Sequence, residues 1–463
     1  MAEVLRNALA KISEDNVEYT ETSLDLSIEL HPYEIHALTE GLKRNTHLQK
    51  LNLEYCIVGP SAASALADAL SHNQTITELN LSYNFLDDHV GDILEALWQN
   101  RALVQLNLGG NCLQKRGALA VAELLRRTVN LTSLVLSNND ICPDGAAAIA
   151  SALRHHTTLR MLSMSQNIIG ANGAAAIADA LQANEVLAVL DLQSNHVGDA
   201  GAAAIGAALH HNKRLRKLNL SQNSIGARGA AAIADGLQHS STLAELELLS
   251  NHVGAAGAKA IAAALQRSKT LVSLGLCHNA MGEKGAAAIA EALRCGSLPQ
   301  LTLRSNAIGD TGAIAIAAAL RHNTALRELD LSNNFIGDGA AAAIAEMLMH
   351  NATLRRLCLA YSNNFSETGV ALIGEAVKRN TTLTALCWSP VEIFKPLQKL
   401  LTANALVYAT RSPHLWMALG APLGPTLCSL RSPRGGISVG DLFTAQLAAD
   451  LLFSLTREWA RRQ

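Results

Sequence analysis

The feature that most constrains this fold is a period. The segment LNLSQNSIGARGAAAIADGL, residues 218–237, recurs with small changes along most of the chain. The residue that opens each copy stands at Leu48, Ile76, Leu103, Leu131, Leu159, Leu187, Leu215, Leu243, Leu271, Leu298, Leu326, Leu354 and Leu383, in steps of 27, 28 or 29 residues. One copy alone looks like a phosphate-binding turn, because an alternating apolar stretch leads through Gly226 and Gly229 into a helix that opens on alanines. A cofactor turn occurs once or twice in a chain, whereas this one recurs almost throughout. It is a structural unit, and neither catalytic nor cofactor-binding residues are expected from it. Stacked units share one continuous core, so the 463 residues count as one long repeat domain with flanking segments.

Each unit divides in two. In LRKLNLSQNSIG the residues Leu215, Leu218 and Leu220 face one way, while Lys217, Asn219 and Ser221 face the other, which is the alternation of a short strand with one buried face. In GAAAIADAL, residues 173–181, Gly173, Ala176, Ile177, Ala180 and Leu181 fall on one helical face, with Ala174, Ala175 and Ala178 as flanks. Between strand and helix an asparagine recurs at 84, 111, 139, 167, 195, 223, 251, 279, 306, 334 and 363, with Cys56 in that place in the first full repeat. A buried asparagine there satisfies backbone groups of its own coil and the next. Helices pack about 8–10 Å apart and parallel strands about 4.8 Å, so the stack bends by roughly 20° per unit. The expectation is an α/β solenoid, a horseshoe of about 13 repeats over residues 23–390 with parallel strands on the concave face and helices on the convex face. Residues 1–22 are expected to cap it.

The pattern LxxLxLxxNxIGxxGAxAIAxAL at a period of 28 resembles the ribonuclease-inhibitor-type leucine-rich repeat. Its wording NxIGxxG and AIAxAL is most similar to the C-terminal repeats of NOD-like receptors, and more distantly to the Ran GTPase activators. The resemblance implies a scaffold or sensor that binds a protein partner through the repeat surface. The chain has no GxxxxGK[ST] loop, so the nucleotide-driven assembly of complete receptors does not carry over. The Ran-type alternative implies a small GTPase as partner, and no arginine here matches a motif of that family.

Charge excludes some function classes. Lys plus Arg total 37 and Asp plus Glu 39, so the summed field favours neither nucleic acid nor an anionic membrane. No uninterrupted apolar run of 18 residues is present, so no transmembrane span is expected. The start, MAEVLRNALAKISEDN, lacks the pattern of a secretory signal, and eight irregularly spaced cysteines suit reduced thiols in a cytoplasmic protein. On that reading the sequons at Asn73, Asn130 and Asn351 carry no glycan. The histidine pairs His155/His156 and His210/His211 stand at helix ends, where an imidazole can bond terminal carbonyls, and no carboxylate or thiol cluster completes a metal set beside them. No metal is expected, and no nucleophile, base and acid recur together, so the chain is not read as an enzyme.

Binding residues are sought where the repeat leaves choice. No Phe, Tyr or Trp occurs between Trp98 and Phe335, and binding energy concentrates in aromatic and arginine side chains, so contacts are expected at the two ends. At one end Tyr55 and Tyr83 should stand side by side near Glu54. At the other, Arg356, Tyr361, Phe365 and Trp388 should cluster, with Trp388 serving equally as contact or cap. Between them the outward strand positions include Lys217, Asn219, Glu245, Glu247 and Arg304. Cys358 and Cys387 should be neighbours on the concave face, read as small reduced thiols ahead of a redox switch.

The composition changes at Pro390. Residues 391–463 form a non-repeat tail, and six of the ten prolines lie from Pro390 onward. RSP occurs at Arg411 and Arg431, and residues 405–440 predict little regular order. From Asp441 to Arg462 the series Phe443, Leu447, Leu451, Leu455 and Trp459 predicts an amphipathic helix that caps the solenoid or binds a partner.

Overall fold

A computed structural model describes residues 22–27, 30–388, 401, 402 and 404. The cap expected over residues 1–22, apart from Thr22, and nearly all of the 391–463 tail, with its helix from Phe443 to Trp459, lie outside the described residues. Within them a single 14-stranded parallel sheet runs in strict sequence order. The strands are three residues long, from Ser23–Asp25 to Ala385–Cys387, and helices alternate with them from Pro32–Leu42 to Glu367–Arg379. The chain is a leucine-rich-repeat solenoid, with strands lining the concave face and helices the convex one.

Register follows from the leucines. The middle residue of every strand pairs with the middle residue of the next, in the series Leu24, Leu51, Leu79, Leu106, Leu134, Leu162, Leu190, Leu218, Leu246, Leu274, Leu301, Leu329, Leu357 and Leu386. A one-residue slip would turn a whole row of leucines from core to solvent, so each coil is locked to its neighbours. The helix face is wider than the expected stripe. In the helix Gly170–Ala183 the buried residues are Gly173, Ala174, Ile177, Ala178, Ala180 and Leu181, while Ala176 is only half-buried. Each helix packs against the leucine layer beneath it and a helix on either side, so Ala174 and Ala178 are covered as well.

The asparagine series forms a continuous hydrogen-bonded ladder. Asn223 Nδ2 donates to the carbonyls of Leu192 (2.8 Å) and Ser221 (3.0 Å), and its Oδ1 accepts from the amides of Asn195 (2.9 Å) and Val197 (3.2 Å). The same contacts recur from Asn84 to Asn363. Cys56 is a weaker rung, its thiol donating to the Leu26 carbonyl at 3.0 Å. A second ladder, which the motif reading did not separate out, runs where each helix returns to the next strand. Asn184 Nδ2 donates to Leu153 O (2.7 Å) and its Oδ1 accepts from Leu187 N (2.8 Å), and Asn73, Asn212, Asn351 and Asn380 do the same in their own repeats. The sequon residues Asn73 and Asn351 are therefore buried rungs. His156 is another, accepting at Nδ1 from Leu159 N (3.0 Å). Burial lowers its pKa, in keeping with an acceptor that must stay neutral. His72, His239 and His350 do bond the carbonyl four residues back, each at 2.8 Å. Asn404 adds a rung to the far end, donating to Asn380 O (3.0 Å) and Leu383 O (2.9 Å), with Leu401 buried beside it.

The turn resembling a phosphate site already holds an anion. Asp199 Oδ1, from the preceding repeat, accepts from the amides of Gly226 (2.7 Å) and Gly229 (2.9 Å) at the start of the helix Ala227–His239. Burial pushes the Asp199 carboxyl up, and those two amides with Arg228 more than offset it, so the net shift is downward. Asp310 caps at Gly337 (2.6 Å) in the same way. At these two interfaces a carboxylate does what a ligand phosphate would do.

Asn223→Leu is expected to cost about 2–6 kcal/mol, since it leaves two buried amides unpaired at roughly 1–3 kcal/mol each. Asn223→Cys should cost less, as Cys56 holds the same place with weaker thiol bonds to the Leu26 (3.0 Å) and Glu54 (3.7 Å) carbonyls. Urea denaturation followed by helical circular dichroism should give midpoints in the order wild type, Cys, Leu.

Candidate functional site

The rim between strands and helices is the part of the surface most strongly shaped by the ladder. At most ladder positions the chain bends so sharply that the residues on either side adopt left-handed backbone. Residues 55 and 57 flank Cys56 and residues 83 and 85 flank Asn84, all with φ between 53° and 59°. Side chains at these positions are thrown outward. In most repeats they are small or polar, as at Asn138, Ser194, Gln222 and Ser250. At the ends they are aromatic: Tyr55 is 53 % exposed, Phe85 68 %, Phe335 61 % and Tyr361 61 %. A bulky side chain at positive φ costs on the order of 1–2 kcal/mol that asparagine or glycine largely avoids. Folding alone does not favour aromatics there.

The expected tyrosine pair forms. The rings of Tyr55 and Tyr83 stack with centroids 4.6 Å apart and planes 10° from parallel. The far face of Tyr83 lies on Gly110, where an added Cβ would come within 2.4 Å of the ring at a φ of +67°. Glu54 is half-buried one residue away. Ile57 and Phe85, exposed beside the pair, extend it into an apolar patch that counting tyrosines alone does not find. Their signal in the sequence is the residue that follows each ladder position. Next to the patch, Asp25, Lys50, Asn52, Glu78, Asn80 and Gln105 line an open groove of about 410 Å³ on the concave face.

The expected cluster at the other end divides. Tyr361 stands on the rim under the Arg304 guanidinium, 5.3 Å from its ring centroid. Trp388 is only 7 % exposed and packs on Phe365 with centroids 4.8 Å apart, so it closes the core and is not offered to a partner. Arg356 lies on the concave sheet, away from both rings, with Nη2 3.9 Å from Cys387 Sγ. The repeat arithmetic placed these residues in adjacent coils correctly. It could not say that the rim and the strand face point in different directions.

In the middle, the outward residues largely satisfy each other. Lys217 and Glu245, partners in register, form an ion pair at 2.9 Å, and the pair raises the lysine pKa. Asn219 donates to Gln193 Oε1 (3.3 Å) and accepts from Ser221 N (3.0 Å). Ser221, expected to face outward, is 2 % exposed, because the chain has already begun its turn toward the ladder there. The Glu247 carboxylate lies over Gly275, whose lack of a side chain leaves it room, and burial raises its pKa. Among the described residues one group of metal-capable side chains lies close together, His210, Asp235 and His239, on the helical side and not on this surface.

Cys358 and Cys387 are direct partners in register on the last two strands. The hydrogen bond between them raises the Cys358 thiol, helped by burial, and lowers Cys387 to about 6, helped by the Arg356 guanidinium. Of the two thiols, Cys387 is the more readily ionised. Alkylation by iodoacetamide, read by mass spectrometry, should label Cys387 ahead of the exposed Cys295, with a rate midpoint near pH 6, and Arg356→Gln should move that midpoint upward.

The family profile agrees with this architecture. The family profile described as "Leucine Rich repeat" matches residues 44–67, 72–88, 99–122, 129–150, 155–178, 183–206, 211–234, 239–262, 297–317 and 322–345. Leiomodin-2 of Mus musculus is 33 % identical over 134 residues, covering 28 % of this chain and 24 % of that protein. Capping protein, Arp2/3 and myosin-I linker protein 3 of Rattus norvegicus is 34 % identical over 116 residues, covering 24 % of this chain and 8 % of that protein. The aligned parts thus span under a quarter of either relative. Among solved structures, the yeast Rad7 and Elc1 complex gives a TM-score of 0.41 at 17 % identity, covering 71 % of this chain and 83 % of that one. The second actin-binding site of leiomodin-1 gives 0.30 at 16 %, covering 42 % and 96 %. With ten profile matches in phase with strands and helices that stack in register, the chain is a leucine-rich-repeat protein.

Proposed function

We propose that this chain is a non-enzymatic cytoplasmic scaffold that binds a protein through the aromatic rim at its N-terminal end, and that the partner belongs to the actin-filament machinery. The observation that carries the site is the set Tyr55, Ile57, Tyr83 and Phe85, held at positive φ where the central repeats keep small or polar residues, with Tyr55, Ile57 and Phe85 exposed and Tyr83 half-buried between them and Gly110. Such side chains weaken the coil and supply the apolar and aromatic area on which interface energy concentrates. The groove of Lys50, Asn52, Glu78 and Asn80 beside it offers polar groups for orientation. The partner class is supported by the relative whose name makes it a linker of capping protein, Arp2/3 and myosin-I. One full helix per coil and a step of 27 to 29 residues support the ribonuclease-inhibitor-type subclass and the likeness to NOD-like receptor repeats. The cytoplasmic reading is supported by the irregular cysteine spacing, and no helix among the described residues is long and apolar enough to cross a membrane.

The test exploits the repeat itself. Asn138 and Asn333 occupy the positions equivalent to Tyr55 and Tyr83, so Tyr55→Asn with Tyr83→Asn installs a residue the fold already accepts at that backbone. The unfolding midpoint should stay the same or rise, while binding falls at least tenfold. Binding is measured by co-sedimentation with filamentous actin and by capture of purified capping protein, Arp2/3 complex and myosin-I. Failure of the unaltered chain to bind any of the four would refute the partner class. Binding that ignores the tyrosines and responds to Glu245→Ala with Glu247→Ala would refute the site.

A further inference from the structure

We propose that the convex face carries a binding site for one divalent transition-metal ion of the zinc type, built by His210, Asp235 and His239 across two adjacent repeats. The site begins with two glycines that the repeat pattern does not call for. Gly206 and Gly236 stand where neighbouring units have Ala178 and Ala234, and Ala208 and Ala264. A Cβ on Gly206 would lie 2.3 Å from the Ala232 carbonyl oxygen, and one on Gly236 would lie 2.4 Å from the Gly206 carbonyl oxygen. The helices Gly198–His211 and Ala227–His239 therefore meet backbone to backbone at this interface. His210, one turn beyond Gly206, is carried onto the side chains flanking Gly236.

The result is a ligand set. One ring nitrogen of each histidine and a carboxylate oxygen of Asp235 all lie within 4.8 Å of one another. His210 Nε2 is 2.9 Å from Asp235 Oδ2, and the two imidazoles stack with centroids 4.3 Å apart. Ligand atoms around a tetrahedral zinc sit about 3.3 Å apart, given bonds of about 2.0–2.2 Å, so small rotations of exposed side chains close the set and water takes the fourth position. Two imidazoles and one carboxylate suit zinc, cobalt or nickel over calcium or magnesium, which take oxygen ligands.

The surroundings point the same way. His239 Nδ1 lies 2.8 Å from the Asp235 carbonyl oxygen, which accepts its proton and leaves Nε2 with a free lone pair, the arrangement typical of metal-binding histidines. The other carboxylate oxygen, Asp235 Oδ1, accepts from Gln238, and Gln238 in turn accepts from Arg267 Nη1 at 3.0 Å. That chain fixes the carboxylate while Oδ2 faces His210. The histidine pair at 210 and 211 did not suggest this in the sequence, because the carboxylate comes from the next coil. The ion would tie two repeats together on the helical side, opposite the strand register that already ties them on the other.

Isothermal titration of the full chain with zinc chloride tests the site. One equivalent should bind, at least tenfold more weakly in each of His210→Ala, His239→Ala and Asp235→Asn. All three side chains are half-buried or exposed, so the variants keep the fold, and circular dichroism confirms it. Zinc should also raise the unfolding midpoint of the unaltered chain and leave that of each variant where it was. Absence of binding, or binding undiminished in both histidine variants, overturns the proposal.

Discussion

Parallel strands only three residues long leave two bends in each coil, and much of the backbone of those bends is stacked against the neighbouring coils. The asparagine ladder is what makes that tolerable. At Asn223 the side-chain amide donates to two carbonyls and accepts from two amides of the coil before it, so one residue answers for four polar groups at that bend. The ladder at the other bend, with Asn184 and its equivalents, does the same where helices return to strands. With both bends satisfied, the apolar interior can be a plain stack of leucine, isoleucine and alanine. Each coil finds its bonding partners in the next, so its stability is shared with its neighbours.

The ladder also sets the surface. At most ladder positions the residues on either side of the asparagine take left-handed backbone, and that geometry turns the flanking side chains to the rim. Rim and concave strand face are thus separate surfaces with separate chemistry. On the strand face, Lys217 with Glu245 and Asn219 with Gln193 engage one another and leave few groups wanting a partner. On the rim the central polar residues also pair, as Ser194 does with Gln222 and Asn333 with Ser305, whereas Ile57, Phe85 and Phe335 stand exposed. The contrast between polar central residues and aromatic terminal ones is sharper there than composition suggests, because exposure at Phe85 and Phe335 adds to the tyrosines named from sequence.

Within the regular stack, departures from the repeat coincide with the places where chemistry gathers. Gly206 and Gly236 draw two helices together around His210 and Asp235. Gly275 makes room for the Glu247 carboxylate, and Gly110 gives Tyr83 a shelf. Of these, Gly206, Gly236 and Gly275 neither start a turn nor end a helix. In a chain whose pattern is this regular, an extra glycine marks a close approach more dependably than a charge marks a contact.

The amino-acid sequence by itself determined the coil, the parallel order, the strand register and the first ladder, because all of these repeat and the period is printed in the leucines and asparagines. It also determined that Tyr55 meets Tyr83 and that Cys358 meets Cys387, since equivalent positions in adjacent units must be neighbours. Only the tertiary structure decided which way a side chain faces and what crosses between units at unequal positions. Trp388 turned into the core while Tyr361 stayed on the rim, and Ser221 was already inside the bend. Asp199 reached the amides of the following helix, and Asp235 reached His210. Those outcomes depend on backbone dihedrals at the turn and on how closely two helices approach, and neither quantity is periodic in the residues that produce it.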